Sequence, residues 1–159
     1  MFFYLVTPLI LIASSSLGLL INPSWSVSPF IWVFILVSII DLVLPYLSKQ
    51  DADLKENVLH NFFILIILPC ILFLIVFGLI VVSDSTISIM VAAALGAAVG
   101  MSGGSIGITT AHELIHRQNK YMRGIGVLLL VLCCYGHFRI EHVYGHHKHV
   151  ATKEDPATA

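Results

Sequence analysis

Histidine is the residue type in this chain that could do chemistry, and its spacing is the first feature to explain. The chain has 8 histidines, and all but one follow residue 111. His112 and His116 are four residues apart, as are His142 and His146, and His147 follows directly. On an α-helix, residues i and i+4 lie on one face, so each pair could present two imidazoles to a metal ion. Because adjacent helical residues point about 100° apart, we expect His147 to face a second metal ion.

Five clustered imidazoles are more than a tetrahedral zinc site with one open position needs, so they favour a site for two metal ions. Imidazole suits iron, copper, zinc and nickel, so the ligand type leaves the metal open. Glu113 and Glu141 each neighbour a clustered histidine in sequence and cannot share its helix face. We therefore expect these two carboxylates to accept the remaining ring N–H of a ligand histidine.

Two other classes of protein could also use these histidines. Residues 112–116 read H-E-x-x-H, the string in which two histidines hold zinc and the glutamate serves as the base of a metalloprotease. A metal transporter with a histidine-rich loop is the second alternative. The second histidine cluster argues against a protease site, and the near absence of polar residues in the first and third apolar runs argues against a transporter.

The composition is that of a membrane protein. Hydrophobic residues make up 58% of the 159 residues and charged residues 11%, with a mean hydropathy of +0.96. These values exclude a disordered chain, a nucleic-acid binder and an ordinary soluble domain. We predict an all-α, polytopic integral membrane protein with four transmembrane helices and a short half-buried helix. The predicted spans are Phe2 to Ile21, Ser28 to Leu47, Phe62 to Val82 and Ile87 to Thr110, and the half-buried helix is Gly124 to Phe138.

The basic residues predict how these helices are oriented. All 8 lysines and arginines lie either between the second and third spans or after the fourth. With the N-terminus in the cytoplasm, every one of them would be cytoplasmic, as the positive-inside rule requires. We therefore expect the histidine clusters on the cytoplasmic side. We treat residues 1–159 as part of one membrane-embedded domain, with four helices in 1–110 and the histidine clusters in 111–159.

Residues 110–159 resemble the membrane-integral alkane 1-monooxygenases of the fatty acid desaturase-like di-iron superfamily. Residues 112–117, HELIHR, are similar to the first histidine box of that family. Residues 135–147, YGHFRIEHVYGHH, resemble the run into its second box. Residues 150–157 resemble the V-A-T-x-x-D-P-A tail of that box. In topology, with helical hairpins before the first box, the resemblance covers most of the chain.

The resemblance implies a non-haem di-iron enzyme that uses O₂ and two electrons to hydroxylate a terminal C–H bond of an alkane or similar hydrocarbon. It implies that two iron ions are bound by His112, His116, His142, His146 and His147. It also implies electrons from rubredoxin and its reductase, and a place in the bacterial inner membrane. A xylene-type or fatty-acyl hydroxylase or desaturase of the same superfamily is the alternative that shares these boxes.

The resemblance also predicts that the chain is incomplete. The family has a third histidine box and another ligand histidine after further helices, whereas this sequence ends at Ala159. Five imidazoles cannot fill the coordination of two iron ions. We therefore expect an N-terminal part of an enzyme that is inactive by itself.

Overall fold

The structure is a computed structural model that describes residues 2–22, 25, 28–31, 34–35, 38–43, 58–155 and 157. Most of these residues are helical, and turns connect the helices. Their order is α1 (Phe2–Leu20), α2 (Ser28–Ile31), α3 (Ser38–Val43), α4 (Val58–Val82), α5 (Ile89–Ser102), π1 (Gly103–Gly107), α6 (Ile108–Ile115), α7 (Lys120–Leu132), π2 (Ile140–His146) and α8 (His147–His149). These ranges contain no β-strand, so the predicted all-α class is confirmed for them. The chain divides into two units, Met1–Ile106 and Gly107–Ala159.

In the first unit, α1, α4 and α5 pack against one another, and α2 packs on α1 and α5. The buried aliphatic residues of α4 are Ile64, Ile67, Ile71 and Leu74. They recur every three or four residues, which is the period of one helix face. A buried hydrogen bond also joins α1 and α5, because Ser15 Oγ and Ser102 Oγ lie 2.7 Å apart. Hydroxyl contacts of this kind between helices are typical of packing in lipid.

Within the described residues, two helical stretches are long and apolar enough to cross a membrane. They are His60–Val82, with 23 residues, and Ile89–Ile115, with 27 residues. Only 28% and 22% of their apolar windows are buried, whereas the core helix of a soluble protein is mostly buried. Large apolar side chains such as Phe62, Leu79 and Met90 are exposed. Apolar surface of this extent fits contact with lipid and is characteristic of an integral membrane protein.

The predicted spans are represented unequally in the described residues. The third and fourth, residues 62–82 and 87–110, coincide with the two membrane-spanning candidates. The first coincides with α1, which contains the apolar stretch Pro8–Leu20. Only parts of the second, residues 28–47, are described. The count of four spans and the cytoplasmic orientation therefore stay predictions.

In the second unit, α6 packs on α7. Asn119 begins α7, because its side-chain oxygen accepts the backbone N–H groups of Tyr121 and Met122. A glycine then allows the two helices to approach closely. A Cβ added at Gly126 would lie 2.8 Å from Leu114 Cβ and 3.0 Å from the carbonyl oxygen of Ala111.

The predicted half-buried helix, residues 124–138, corresponds to α7, which begins earlier and ends at Leu132. Leu129 and Leu130 on this helix are fully buried, whereas Leu128 and Val131 are exposed. Its 13 residues are too few to cross a hydrocarbon core that takes about 20. A turn region follows from Cys133 to His137, and the chain is helical again from Phe138 into π2.

Candidate metal centre

The first two candidate ligands lie at the end of α6, where His112 is in the last turn and His116 is the C-cap residue. His112 and His116 are one α-helical turn apart, and their ring centroids are 4.9 Å apart. The opposite side of the helix is fixed by packing, because Ala111 and Leu114 are almost completely buried. His142 on π2 meets both rings, with centroids 4.4 Å from that of His112 and 5.2 Å from that of His116. The first and second histidine clusters therefore come together.

The imidazole nitrogens converge on one atom, His142 Nε2. It lies 2.7 Å from His112 Nε2 and 3.1 Å from His116 Nε2. The Nε2 atom of His147 lies 3.0 Å from it. In the described part of the chain, His112, His116 and His142 form a group whose ligand atoms are all within 4.8 Å of one another.

The winding of π2 explains which histidines meet. The backbone N–H of His147 bonds to the carbonyl of His142, five residues back, as in a π-helix. This turn brings His147 close to His142, so that His147 joins the cluster. The α-helical spacing predicted that His147 would point away from His146, and their ring planes are 85° apart. That His147 faces a second metal ion stays a prediction.

The donor set fits a metal ion better than it fits a hydrogen-bond network. An imidazole nitrogen has either one N–H or one lone pair. His142 Nε2 has three Nε2 neighbours within 3.1 Å, so hydrogen bonding can satisfy only one of these contacts. Nitrogens bound about 2.0–2.1 Å from one metal ion would lie about 2.8–3.4 Å from one another, for angles between 90° and the tetrahedral angle. The observed separations of 2.7–3.1 Å are close to this range.

The protonation of the cluster also favours a metal ion. Burial, together with the neighbouring histidines, lowers the pKa of His142 to about 4. Burial and the rings of His112 and His147 also lower the pKa of His116. Both rings are therefore neutral near pH 7, and the neutral ring is the form that binds a metal ion.

Two residues near the cluster were not assigned a role from the sequence. Phe138 stacks on the ring of His142, with centroids 4.9 Å apart and planes 13° apart. Asp155 approaches the ring of His146, with its two carboxylate oxygens 3.0 Å and 2.9 Å from His146 Nδ1. Phe138 and Asp155 lie in the segments that resemble the second box and its tail. This resemblance is the sequence feature from which they could have been found.

The two glutamates expected to orient ligand histidines have other contacts. Glu113 pairs with Arg117, whose guanidinium donates to Glu113 Oε1. Glu141 lies 3.9 Å from the ring of His137, and both side chains are exposed. Their expected role toward the clustered histidines stays a prediction. His149, which lies outside the compact spacing, pairs with Glu154 at 3.2 Å.

An apolar helical chain with converging imidazoles has the features of a membrane protein that carries a candidate metal centre. Comparisons with known proteins make the class more specific. Residues 87–159 match the family model described as fatty acid desaturase. This segment contains both histidine clusters, and the resemblance noted from the two boxes is confirmed.

Curated relatives carry the name alkane 1-monooxygenase. Alkane 1-monooxygenase 2 of Pseudomonas aeruginosa is 49% identical over 61 residues, which are 38% of this chain and 16% of that protein. Alkane 1-monooxygenase of Acinetobacter baylyi is 49% identical over 65 residues, 41% of this chain and 16% of that protein. Alkane 1-monooxygenase 1 of Alcanivorax borkumensis is 41% identical over 78 residues, which are 49% of this chain and 19% of that protein. The matched segment is therefore similar to a part of proteins that are named as monooxygenases.

The matched segments cover less than a fifth of the length of these relatives. No solved structure matches the chain.

Proposed function

We propose that this chain is part of a membrane-integral non-haem di-iron monooxygenase that hydroxylates the terminal C–H bond of an alkane or similar hydrocarbon. The observation that carries the proposal is the convergence of three Nε2 atoms on His142 Nε2, in a segment similar to alkane 1-monooxygenases. The reaction consumes the hydrocarbon, O₂, two electrons and two protons, and yields an alcohol and water. When bound, the iron ions supply the activation of O₂ and the redox chemistry.

The protein's own residues hold the iron ions and keep the ligands oriented. We assign His112, His116, His142 and His147 to the converging cluster, with His146 as the fifth ligand. The lowered pKa of His142 keeps its ring neutral, so that no proton has to be displaced before metal binds near pH 7. The stacked ring of Phe138 restricts the orientation of His142.

The cellular setting follows from the same proposal. A hydrocarbon partitions into lipid and can reach the site from within the membrane, beside the exposed apolar helices. We assign the chain to the bacterial inner membrane, with its N-terminus and the histidine clusters on the cytoplasmic side. Basic residues before and after the clusters support this orientation. There the site can receive electrons from a soluble carrier of the rubredoxin type and its reductase.

The test is product formation under ¹⁸O₂. The complete protein that contains this chain is expressed in membranes, supplied with octane, a rubredoxin, its reductase and a reduced nicotinamide, and the products are analysed by gas chromatography and mass spectrometry. We expect 1-octanol with one ¹⁸O atom. A matched His142→Ala preparation should give none, because it removes the nitrogen on which the cluster converges.

Other products would redirect or contradict the proposal. Octane left unreacted, with desaturation of an added acyl chain, would favour the alternative within the superfamily. Cleavage of peptides with zinc bound, or metal transport into vesicles without hydrocarbon oxidation, would contradict a hydroxylase.

A further inference from the structure

We propose that Asp155 is a positioning residue that fixes the ring of His146 with its proton on Nδ1 and so directs the Nε2 lone pair toward a metal ion. This inference rests on the proposed function, in which His146 is a ligand. It concerns a carboxylate that lies nine residues beyond the histidine it contacts.

The contact between the two side chains defines the proton position. Both carboxylate oxygens of Asp155 lie within 3.0 Å of His146 Nδ1. An ionised carboxylate only accepts hydrogen bonds, so Nδ1 must be the donor. A neutral ring that donates from Nδ1 has its lone pair on Nε2. The Asp155 side chain is only 2% exposed, so water does not compete for this bond.

The loop that follows α8 is built to return Asp155 to this position. Ala151 has a φ of 64°, a left-handed conformation that reverses the chain. The Thr152 hydroxyl donates to the carbonyl of His149 at 2.6 Å, and the backbone N–H of Asp155 donates to the carbonyl of Thr152 at 3.3 Å. The backbone N–H of Ala157 donates to Asp155 Oδ1 at 2.9 Å. These hydrogen bonds hold the Asp155 carboxylate in place independently of its contact with the His146 ring.

The position of His146 agrees with this role. Its ring lies beside the converging cluster, with centroids 5.6 Å from those of both His142 and His147. Because of the π-helical turn, however, the ring that makes the close Nε2 contact with His142 is that of His147. A ring beside a metal-binding cluster whose Nδ1 bonds to a carboxylate has the arrangement by which proteins orient histidine ligands.

The same loop provides a matched control. His149 Nδ1 lies 3.2 Å from Glu154 Oε2, which makes a second histidine–carboxylate pair. The Glu154 side chain is 78% exposed, so this pair should have little influence on its ring. Glu154→Gln therefore changes a neighbouring carboxylate without touching the proposed contact.

The decisive experiment measures the proton position in the metal-free complete protein, in lipid, by ¹⁵N NMR of labelled histidines. The signal of His146 is assigned from its loss in His146→Gln. We expect the Nδ1–H form in the unmodified protein and in Glu154→Gln. Asp155→Asn, whose amide can either donate or accept, and Asp155→Ala should both move His146 toward the Nε2–H form. An Nε2–H signal in the unmodified protein would overturn the proposal, and this observation requires no variant that could fail to fold.

A second measurement follows iron(II) binding without oxygen in the same preparations. We expect Asp155→Asn to weaken the iron affinity by roughly 10–100-fold, the range for residues that orient ligand histidines. Glu154→Gln should leave it unchanged. Equal affinities in these two variants would contradict the role of Asp155. Failure of the unmodified protein to bind iron, with His146 in the Nδ1–H form, would instead contradict the proposed function and support the Asp155 contact.

Discussion

At the scale of single residues, His142 is the centre of the site. Its Nε2 atom has more imidazole neighbours than hydrogen bonding can satisfy, and its pKa is lowered mainly by burial and then by those same neighbours. The type of ligand could be predicted from the sequence, since clustered histidines indicate imidazole donors. The contact between His146 and Asp155 could not be predicted, because no helical or strand period links residues that are nine apart and joined by a loop.

The role of Glu113 distinguishes a hydroxylase from a zinc protease. In a protease it would be the catalytic base, whereas here it pairs with Arg117 at the end of α6. We expect Glu113→Gln to retain iron and to lower the rate of octane hydroxylation by no more than roughly 10–100-fold. This expectation is checked by measuring the hydroxylation rate and the iron content of Glu113→Gln and, for comparison, of Glu141→Gln. Complete loss of hydroxylation with full iron content would show that Glu113 acts directly in the reaction.

At the scale of elements, the local winding of each helix decides which histidines meet. The α-helical period predicted that the rings of His112 and His116 would lie side by side, as they do on α6. On π2, hydrogen bonding to the carbonyl five residues back brings His147 toward His142, a contact that the α-helical period does not predict. No residue type in 140–146 specifies a π-helix, so this change of register could not be predicted from the sequence.

The packing of α6 on α7 gives an element-scale prediction. Gly126→Ala places a methyl group 2.8 Å from Leu114 Cβ and must push α7 away from the helix that carries His112 and His116. We expect a loss of stability of about 1–3 kcal/mol, as for other overpacked contacts. Thermal denaturation in detergent, followed with iron content, measures the effect.

Gly124→Ala is the matched control on the same helix. No atom lies within 4 Å of a Cβ added at Gly124, and alanine favours a helix over glycine by about 0.5–1 kcal/mol. This variant should be as stable as the unmodified protein or more so. Equal destabilisation by both substitutions would contradict close packing at Gly126.

At the scale of the whole molecule, the apolar surface of the first unit fits contact with lipid. Hydropathy alone predicted the two long helical stretches, because about 20 apolar residues are needed to span a membrane. The number of spans follows less directly from hydropathy, since prolines and polar residues interrupt the second run, residues 28–47. The matches to three alkane 1-monooxygenases each cover less than half of the chain.

The proposed orientation can be tested by cysteine labelling. In a background without Cys70, Cys133 and Cys134, we compare Ser85→Cys, in the turn before α5, with Lys153→Cys, after the second histidine cluster. The positive-inside rule predicts that an impermeant maleimide labels position 85 in intact cells and position 153 only after permeabilisation. Labelling of position 153 in intact cells would contradict a cytoplasmic site.

The most direct test of the central claim, that the converging histidines form an iron centre, is the metal content of the purified complete protein. Cells are grown with iron, zinc, copper and manganese all supplied, and the bound metals are measured by mass spectrometry beside His142→Ala and the control His149→Ala. We expect iron in the unmodified protein and in His149→Ala, with most of it lost from His142→Ala. Zinc in place of iron, or an iron content that does not depend on His142, would contradict the claim.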